Sequence, residues 1–197
     1  MKIRVIACIL LALLSTQAMA TEKQILWGDT HLHTNLSFDA FTNQNFSVGP
    51  DRAYRFARGL PVEHPGHKAR VQIGTPLDFL VISDHAEFLG SVRELYEAGL
   101  PTDGMSIWQK LQVWYGQYLI RDAISKGEGR NFFVSQLPDP YDTPQEAIEA
   151  FDAATSAFPQ IPSVEYRAWH ETADAAAVNN IPGTFSAILG WEYSLIP

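Results

Sequence analysis

The run Leu77-Asp78-Phe79-Leu80-Val81-Ile82-Ser83 constrains this 197-residue chain more than any other feature. It is nearly continuous apolar sequence, rich in β-formers and too short for a typical helix, so it predicts a strand buried in a parallel sheet. Parallel strands need crossover connections, usually helical, and the remaining sequence offers them. Residues 24–27, leading into Gly28-Asp29-Thr30, read as a short first strand, and residues 185–192 as a third. Helices are predicted from Pro50 to Gly59, with proline in the first turn, and over 87–98, 105–126, 144–157 and 163–179. Asn180, Pro182 and Gly183 stop the last of these. Residues 34–48, rich in Asn, Ser, Thr and Phe, read as a long loop. Residues 60–76 carry three prolines, two glycines and two histidines and read as loop or small hairpin; the charge-poor stretch 131–143 interrupts the helical pattern. Strand, helix, strand, several helices, strand is α/β logic with parallel neighbours and a long helical insertion between the second and third strands.

Within the 105–126 helix, Ile107, Trp108, Leu111, Trp114, Tyr115 and Tyr118 recur at helical spacing, and this aromatic stripe is expected to pack as core or under a lid. The sequence has neither internal repeat nor low-complexity tract. Three strands make a poor complete barrel, and the chain stops at Pro197 soon after the third without a covering helix. The expectation is therefore the N-terminal part of a longer domain.

Residues 1–20 have the order of an export signal: Lys2 and Arg4, an apolar stretch from Val5 to Leu14, then Ala18-Met19-Ala20 as a small-x-small cleavage pattern. The apolar stretch is too short to span a membrane, and no Arg-Arg pair marks a twin-arginine route. The expected mature chain, residues 21–197, is therefore periplasmic or extracellular and has no membrane anchor. The one cysteine, Cys8, lies in the signal. Without thiols, the mature chain has to hold any metal with His, Asp and Glu, a donor set suited to zinc, manganese or iron. Cleavage makes the formal net charge of −8 two units more negative. That argues against a nucleic-acid groove, which needs a basic face, but leaves room for a small anionic substrate, because bound cations reverse the local field. Five Trp, eleven Phe and seven Tyr supply a real core.

Asp29-Thr30-His31-Leu32-His33 is the sharpest chemical signal. Residues two apart on a strand face the same way, so His31 and His33 set two imidazoles side by side at a strand's C-terminal end. That end is where sites form in barrels and open α/β sheets. The alternative is two histidines capping the strand. Ser83-Asp84-His85 follows the second strand, making His85 a third candidate ligand and Asp84 a candidate to orient a neighbouring imidazole; a strand-to-helix turn with Asp84 as N-cap is the alternative. Gly190-Trp191-Glu192 ends the third strand, and Glu192 can bridge two ions or be an ordinary exposed carboxylate. Asp39, in the loop after His33, can ligate a metal, carry protons, or serve as a turn residue. His64 and His67 lie in the proline-rich loop, able to approach a phosphate or simply to face solvent. His170 falls in a helix with a surface or core role. Arg52, Arg55 and Arg58 share a helix and read as a solvated face.

Taken together, Asp29-x-His31-x-His33-Thr34, Ser37-x-Asp39, Ser83-Asp84-His85 and Gly190-x-Glu192 resemble the first motifs of the PHP (polymerase and histidinol phosphatase) superfamily. The fuller wording is similar to one exported branch, domain of unknown function 3604. It matches at Trp27 to Thr34, at Pro76-Leu77-Asp78-Phe79, at Ser83-Asp84-His85-Ala86-Glu87-Phe88-Leu89-Gly90 and at Trp169-His170-Glu171-Thr172-Ala173. The resemblance spans residues 25–197. It implies a distorted barrel of seven strands and helices with two or three metal ions on its C-terminal face. It carries His31, His33, His85 and Glu192, and also Asp39, onto metal roles. The superfamily's later motifs, a further His and a terminal Asp-x-His, have no counterpart here.

The expected function is phosphoester hydrolysis by metal-activated water, with Asp39 and Asp84 as catalytic residues. A second reading is an amidohydrolase-like cleavage of C–N or C–O bonds, which wants a lysine after a strand; Lys68, Lys110 and Lys126 fall in loop or helix. A third is a non-catalytic metal-binding or structural fragment.

Overall fold

The computed structural model describes residues 23–135, 142–146, 148–149 and 161–193. The elements run β1 (Gly28–Leu32), α1 (Phe38–Thr42), α2 (Pro50–Ala57), β2 (Val62–Glu63), β3 (Arg70–Val71), β4 (Phe79–Ile82), α3 (Ser91–Glu97), α4 (Ile107–Ser125), α5 (Gly129–Val134), α6 (Pro162–Asn179) and β5 (Ser186–Leu189). This is a mixed α/β structure around a small parallel sheet. Its strand order is β1-β4-β5, with β2 and β3 forming a separate hairpin. Among the described residues the three-stranded sheet is open, and no barrel closes.

The run 77–83 supplies the central strand. Phe79 to Ile82 pair in parallel with Ser186 to Leu189 on one side, and Gly28, Asp29 and Leu32 pair with β4 on the other, with an irregularity between Asp29 and Leu32. Side chains alternate across β4. Leu80 and Ile82 are fully buried, whereas Phe79 and Val81 are half-buried. The buried side lies under α2 and α6, in a core of Ala53, Tyr54, Ala57, Leu80, Ile82, Ala175, Ala176 and Phe185. Alanines on both helices let them approach closely, and each large side chain buried here contributes about 1.5–3 kcal/mol. The Tyr54 hydroxyl donates to the Ile188 carbonyl at 2.9 Å, pinning α2 to β5. Arg58 donates to Asn179 Oδ1 at 2.8 Å, pinning α2 to α6.

Two smaller clusters hold the loop after β1. Leu36 packs with Leu89, Ala168 and the edge of Trp169. Phe41 packs with Ile120 and Ile124, flanked by Phe46, Val92, Leu95, Tyr96 and Phe132. Gly90 joins α3 to α6: its φ is +72°, and a Cβ there would stand 2.7 Å from the Ala168 Cβ.

The structure moves several sequence expectations. The first strand begins at Gly28 instead of residue 24, because β4 begins at Phe79 and gives earlier residues no ladder. Only the exchange of Trp27 and Asp78 precedes it. The loop 34–48 contains the helical turn α1, formed because Phe38 and Phe41, three residues apart, both find buried contacts. α5 begins at Gly129 and runs into the 131–143 stretch read as an interruption. The α4 stripe is neither core nor covered in the described structure: Trp108 is 74% and Trp114 63% exposed. Burial in α4 falls on Ile120, Ala123 and Ile124 near its C-terminal end, and a Ser106–Gln109 capping box starts the helix. Of the predicted helix 144–157, residues 144–146 and 148–149 are helical and the rest lies outside the described residues. The export signal 1–20 and Cys8 also lie outside them. No described helix is long and apolar enough to cross a membrane.

Candidate metal centre

Because the three strands are parallel, their C-terminal ends leave the sheet on one edge. The pairing continues past the strands. Ser83 N–H donates to the Leu32 carbonyl at 2.9 Å, Glu192 N–H to Asp84 O at 3.0 Å and Ala86 N–H to Glu192 O at 2.8 Å. His85 thereby stands opposite Glu192 in a parallel bridge. Main-chain register brings residues 33, 85 and 192 together before any side-chain contact is made.

The side chains then converge. The Nε2 atoms of His31 and His33 are 3.2 Å apart, and Glu192 Oε2 lies 2.9 Å from the first and 2.8 Å from the second. His33 Nδ1 sits 2.9 Å from Asp39 Oδ2. The His85 Nε2 and Nδ1 atoms stand 3.9 Å from Asp39 Oδ2 and 4.0 Å from Glu192 Oε2. Two overlapping donor triads result, His31/His33/Glu192 and His33/Asp39/His85, each with its ligand atoms within 4.8 Å of one another. The outer triad is the more open: the His31 side chain is 64% exposed, against 12% for His85.

The loop after β1 holds the second carboxylate in place. Asp39 Oδ1 accepts from the Ser37 hydroxyl and from Ala40 N–H, both at 2.6 Å. Ser37 Oγ in turn accepts from His85 N–H at 3.2 Å. Phe38 stacks on the His85 ring at 4.4 Å between centroids. Asp84 is buried, and its carboxylate accepts from Thr34 N–H and from the Thr34 hydroxyl, the latter at 2.7 Å. These bonds anchor the loop that starts at Thr34.

These contacts set the electrostatics. The hydrogen bond to Asp39 raises the His33 pKa; burial opposes this, and Glu192 adds to the rise. Burial pushes Asp39 upward, but hydrogen bonds from His33 and Ser37 hold it well below the usual carboxylate range. Burial lowers His85, against the pull of Asp39. Burial, the largest single influence, pushes Glu192 upward, but the imidazoles of His85, His33 and His31 together bring it below its ordinary value. Burial lifts Asp84 to about 6 despite its two bonds from Thr34.

The donor set suits a divalent cation. A neutral imidazole has one N–H and one lone pair. With the N–H of His33 given to Asp39, its Nε2 lone pair faces the lone pairs of Glu192 and, in the same tautomer, of His31. Such an arrangement is repulsive unless a proton or a cation sits among them. A carboxylate on the far nitrogen of a ligating histidine is the usual support of a metal site, and nitrogen and oxygen donors without thiolate fit zinc, manganese or iron.

The remaining sequence candidates lie elsewhere. His64 and His67 stack on each other in the hairpin turn, where His64 Nδ1 accepts the N–H groups of Gly66 and His67 at 3.1 Å. His170 is exposed against Tyr166. Arg52 caps the Ser47 carbonyl, Arg55 faces Asp51 and Arg58 faces Asn179. Thr34 and Ser37 stood inside recognised motifs without a role assigned from sequence. A hydroxyl beside a candidate ligand was the available signal, but its partners lie 50 residues away for Thr34 and 48 for the His85 N–H that meets Ser37.

Fold and site define the chain as an α/β protein with three imidazoles and two carboxylates gathered at the C-terminal edge of a parallel sheet. Residues 20–197 match the family described as "Protein of unknown function (DUF3604)", and the chain belongs to that family. No curated protein and no solved structure matches it.

Proposed function

We propose that this protein is a metal-dependent hydrolase of the PHP superfamily, most readily a phosphoesterase, exported through residues 1–20 and acting on a small anionic substrate. The observation that carries the reading is the meeting of His31 Nε2, His33 Nε2 and Glu192 Oε2 within 3.2 Å of one another on the edge of a parallel sheet. The three-stranded sheet fits the opening strands of a seven-stranded (β/α) barrel. His31, His33 and Glu192 would hold one ion; Glu192 would be shared with a second, held also by His85. Bound there, divalent ions supply a water of lowered pKa and neutralise charge that builds on phosphoryl oxygens.

The chain's own residues do the rest. Asp39 accepts the Nδ1–H of His33, which orients the ring and keeps its Nε2 lone pair free, and it is the carboxylate we assign to carry protons at the site. Ser37 fixes the rotamer of Asp39, Phe38 fixes the ring of His85, and Asp84 holds Thr34 so that the loop leaves β1 at a set angle. An amidohydrolase-like lysine finds no support: Lys68 pairs with Glu63 and Lys126 with Asp122.

Elemental analysis and turnover of a phosphodiester reporter, bis(p-nitrophenyl) phosphate with Zn²⁺, Mn²⁺ or Fe²⁺, test the reading. His31→Ala should lose both bound metal and metal-dependent turnover. Unchanged metal content and activity would refute it.

A further inference from the structure

Three sequence stretches meet around Arg93 without touching the metal centre. Arg93, on α3, is mostly buried and makes a two-pronged pair with Glu171 on α6, Nη1 to Oε1 at 3.1 Å and Nη2 to Oε2 at 2.6 Å. The same Nη1 also reaches Asn35 Oδ1 at 3.4 Å. Asn35 is two residues after His33 and four before Asp39. It closes the 35–48 loop, which carries Asp39, by donating its N–H to the Val48 carbonyl at 3.0 Å. Glu171 belongs to Trp169-His170-Glu171-Thr172-Ala173, which contributes no side chain to either donor triad. From the same helix, Trp169 packs edge-to-face on Trp191, the residue before Glu192.

A second ion pair joins α3 and α6, Glu94 with Arg167 at 2.9 Å. It links the same two helices, and among the described residues neither of its side chains has a hydrogen bond or ion pair to the loop after β1. The geometry therefore separates two roles within one helix pair. Both pairs fasten α3 to α6; of the two, the Arg93 pair also reaches, through Asn35, the segment that carries Asp39, alongside the Gly90–Leu36 hydrogen bond.

We propose that Arg93 and Glu171 are positioning residues that fix the 34–48 loop through Asn35, and thereby set the reach of Asp39 to His33 and the affinity of the metal centre. The proposal rests on the metal reading above. A planar guanidinium is suited to the task because its fork holds a carboxylate in one orientation while a further N–H remains for a third group.

Calorimetric titration with Zn²⁺ tests it on the unmutated protein, Arg93→Gln, Glu171→Gln, Asp39→Asn and the Arg93→Gln/Asp39→Asn double variant, with Arg167→Gln as the control for the neighbouring pair. Outer supports of metal sites change affinity by about 10–100-fold. Arg93→Gln and Glu171→Gln should each weaken Zn²⁺ binding by about tenfold or more. Arg167→Gln should leave it unchanged, and the double variant should bind no more weakly than Asp39→Asn alone. A merely structural clamp would instead give an additive double variant, or an equal loss in Arg167→Gln; either overturns the proposal while the metal reading stands. Wild-type affinity in both clamp variants overturns it too. Absence of Zn²⁺ binding by the unmutated protein overturns both. Should Arg93→Gln fail to fold by circular dichroism, Glu171→Gln, which keeps the arginine and its contact with Asn35, decides by the same comparison with Asp39→Asn.

Discussion

Gly90→Ala is the substitution whose cost the structure defines most sharply. The backbone at Gly90 is left-handed, with φ +72°, and an added Cβ would meet the Ala168 Cβ at 2.7 Å. Holding an L-residue in that conformation costs about 1–2 kcal/mol. Forcing one methyl against another in a packed interface costs about 1–3 kcal/mol more. The sum, about 2–5 kcal/mol, is a large share of the stability of a small domain. Ala168→Gly would remove the clash but not the backbone strain, at its own cost of about 1–2 kcal/mol for glycine in a helix and a lost buried methyl. The double variant should therefore be more stable than the two single losses added together, by the overpacking cost of about 1–3 kcal/mol. Equilibrium urea unfolding followed by tryptophan fluorescence measures all four corners of the cycle. Additive losses, within about 0.5 kcal/mol, would refute the claim that α3 and α6 touch through this pair. The contact matters to the site because Gly90 N–H donates to the Leu36 carbonyl at 2.8 Å, three residues before Asp39.

Thr34→Val should destabilise the protein by about 1.5–3 kcal/mol in urea unfolding at pH 8, since it deletes a hydroxyl donor to the buried Asp84 carboxylate. In protein stripped of metal by a chelator, the His33–Asp39 pair should make stability peak in mildly acidic solution. The raised pKa of His33 stabilises the fold below the ordinary value of 6.5, and that contribution is lost as pH rises through the raised pKa. The depressed pKa of Asp39 stabilises it above the ordinary 3.8, and that contribution is lost as pH falls toward the depressed pKa. Asp39→Asn should flatten both arms of the melting-temperature profile against pH; an unchanged profile would remove the pair from the account. Trp114→Ser should change stability by no more than about 0.5 kcal/mol, as for an exposed side chain; a loss of several kcal/mol would restore the core reading of the α4 stripe.

Much of the site could be read from the chain because its residues sit at strand ends. An apolar run such as 77–83 has one stable destination, and period-two alternation sets His31 and His33 on a common face whatever lies around them. The same locality explains the misplacements. Helical periodicity in 105–126 reports that one face of α4 is apolar, not that anything covers it, and the first strand slid by four residues because a strand begins where a partner begins. The bond between Asp84 and the Thr34 hydroxyl joins residues 50 apart, so no local pattern announced it.

The sequence by itself determined the α/β class of fold and that imidazoles and carboxylates, without thiols among the described residues, stand at strand ends, since these depend on residue type and short-range periodicity. Only the tertiary structure decided that β4 lies between β1 and β5, that Glu192 comes level with His85, that Asp84 is spent on Thr34, and that Arg93 spans Glu171 and Asn35. Each of those depends on contacts between segments 50 to 107 residues apart, set by ladder hydrogen bonds and core packing that no local pattern encodes.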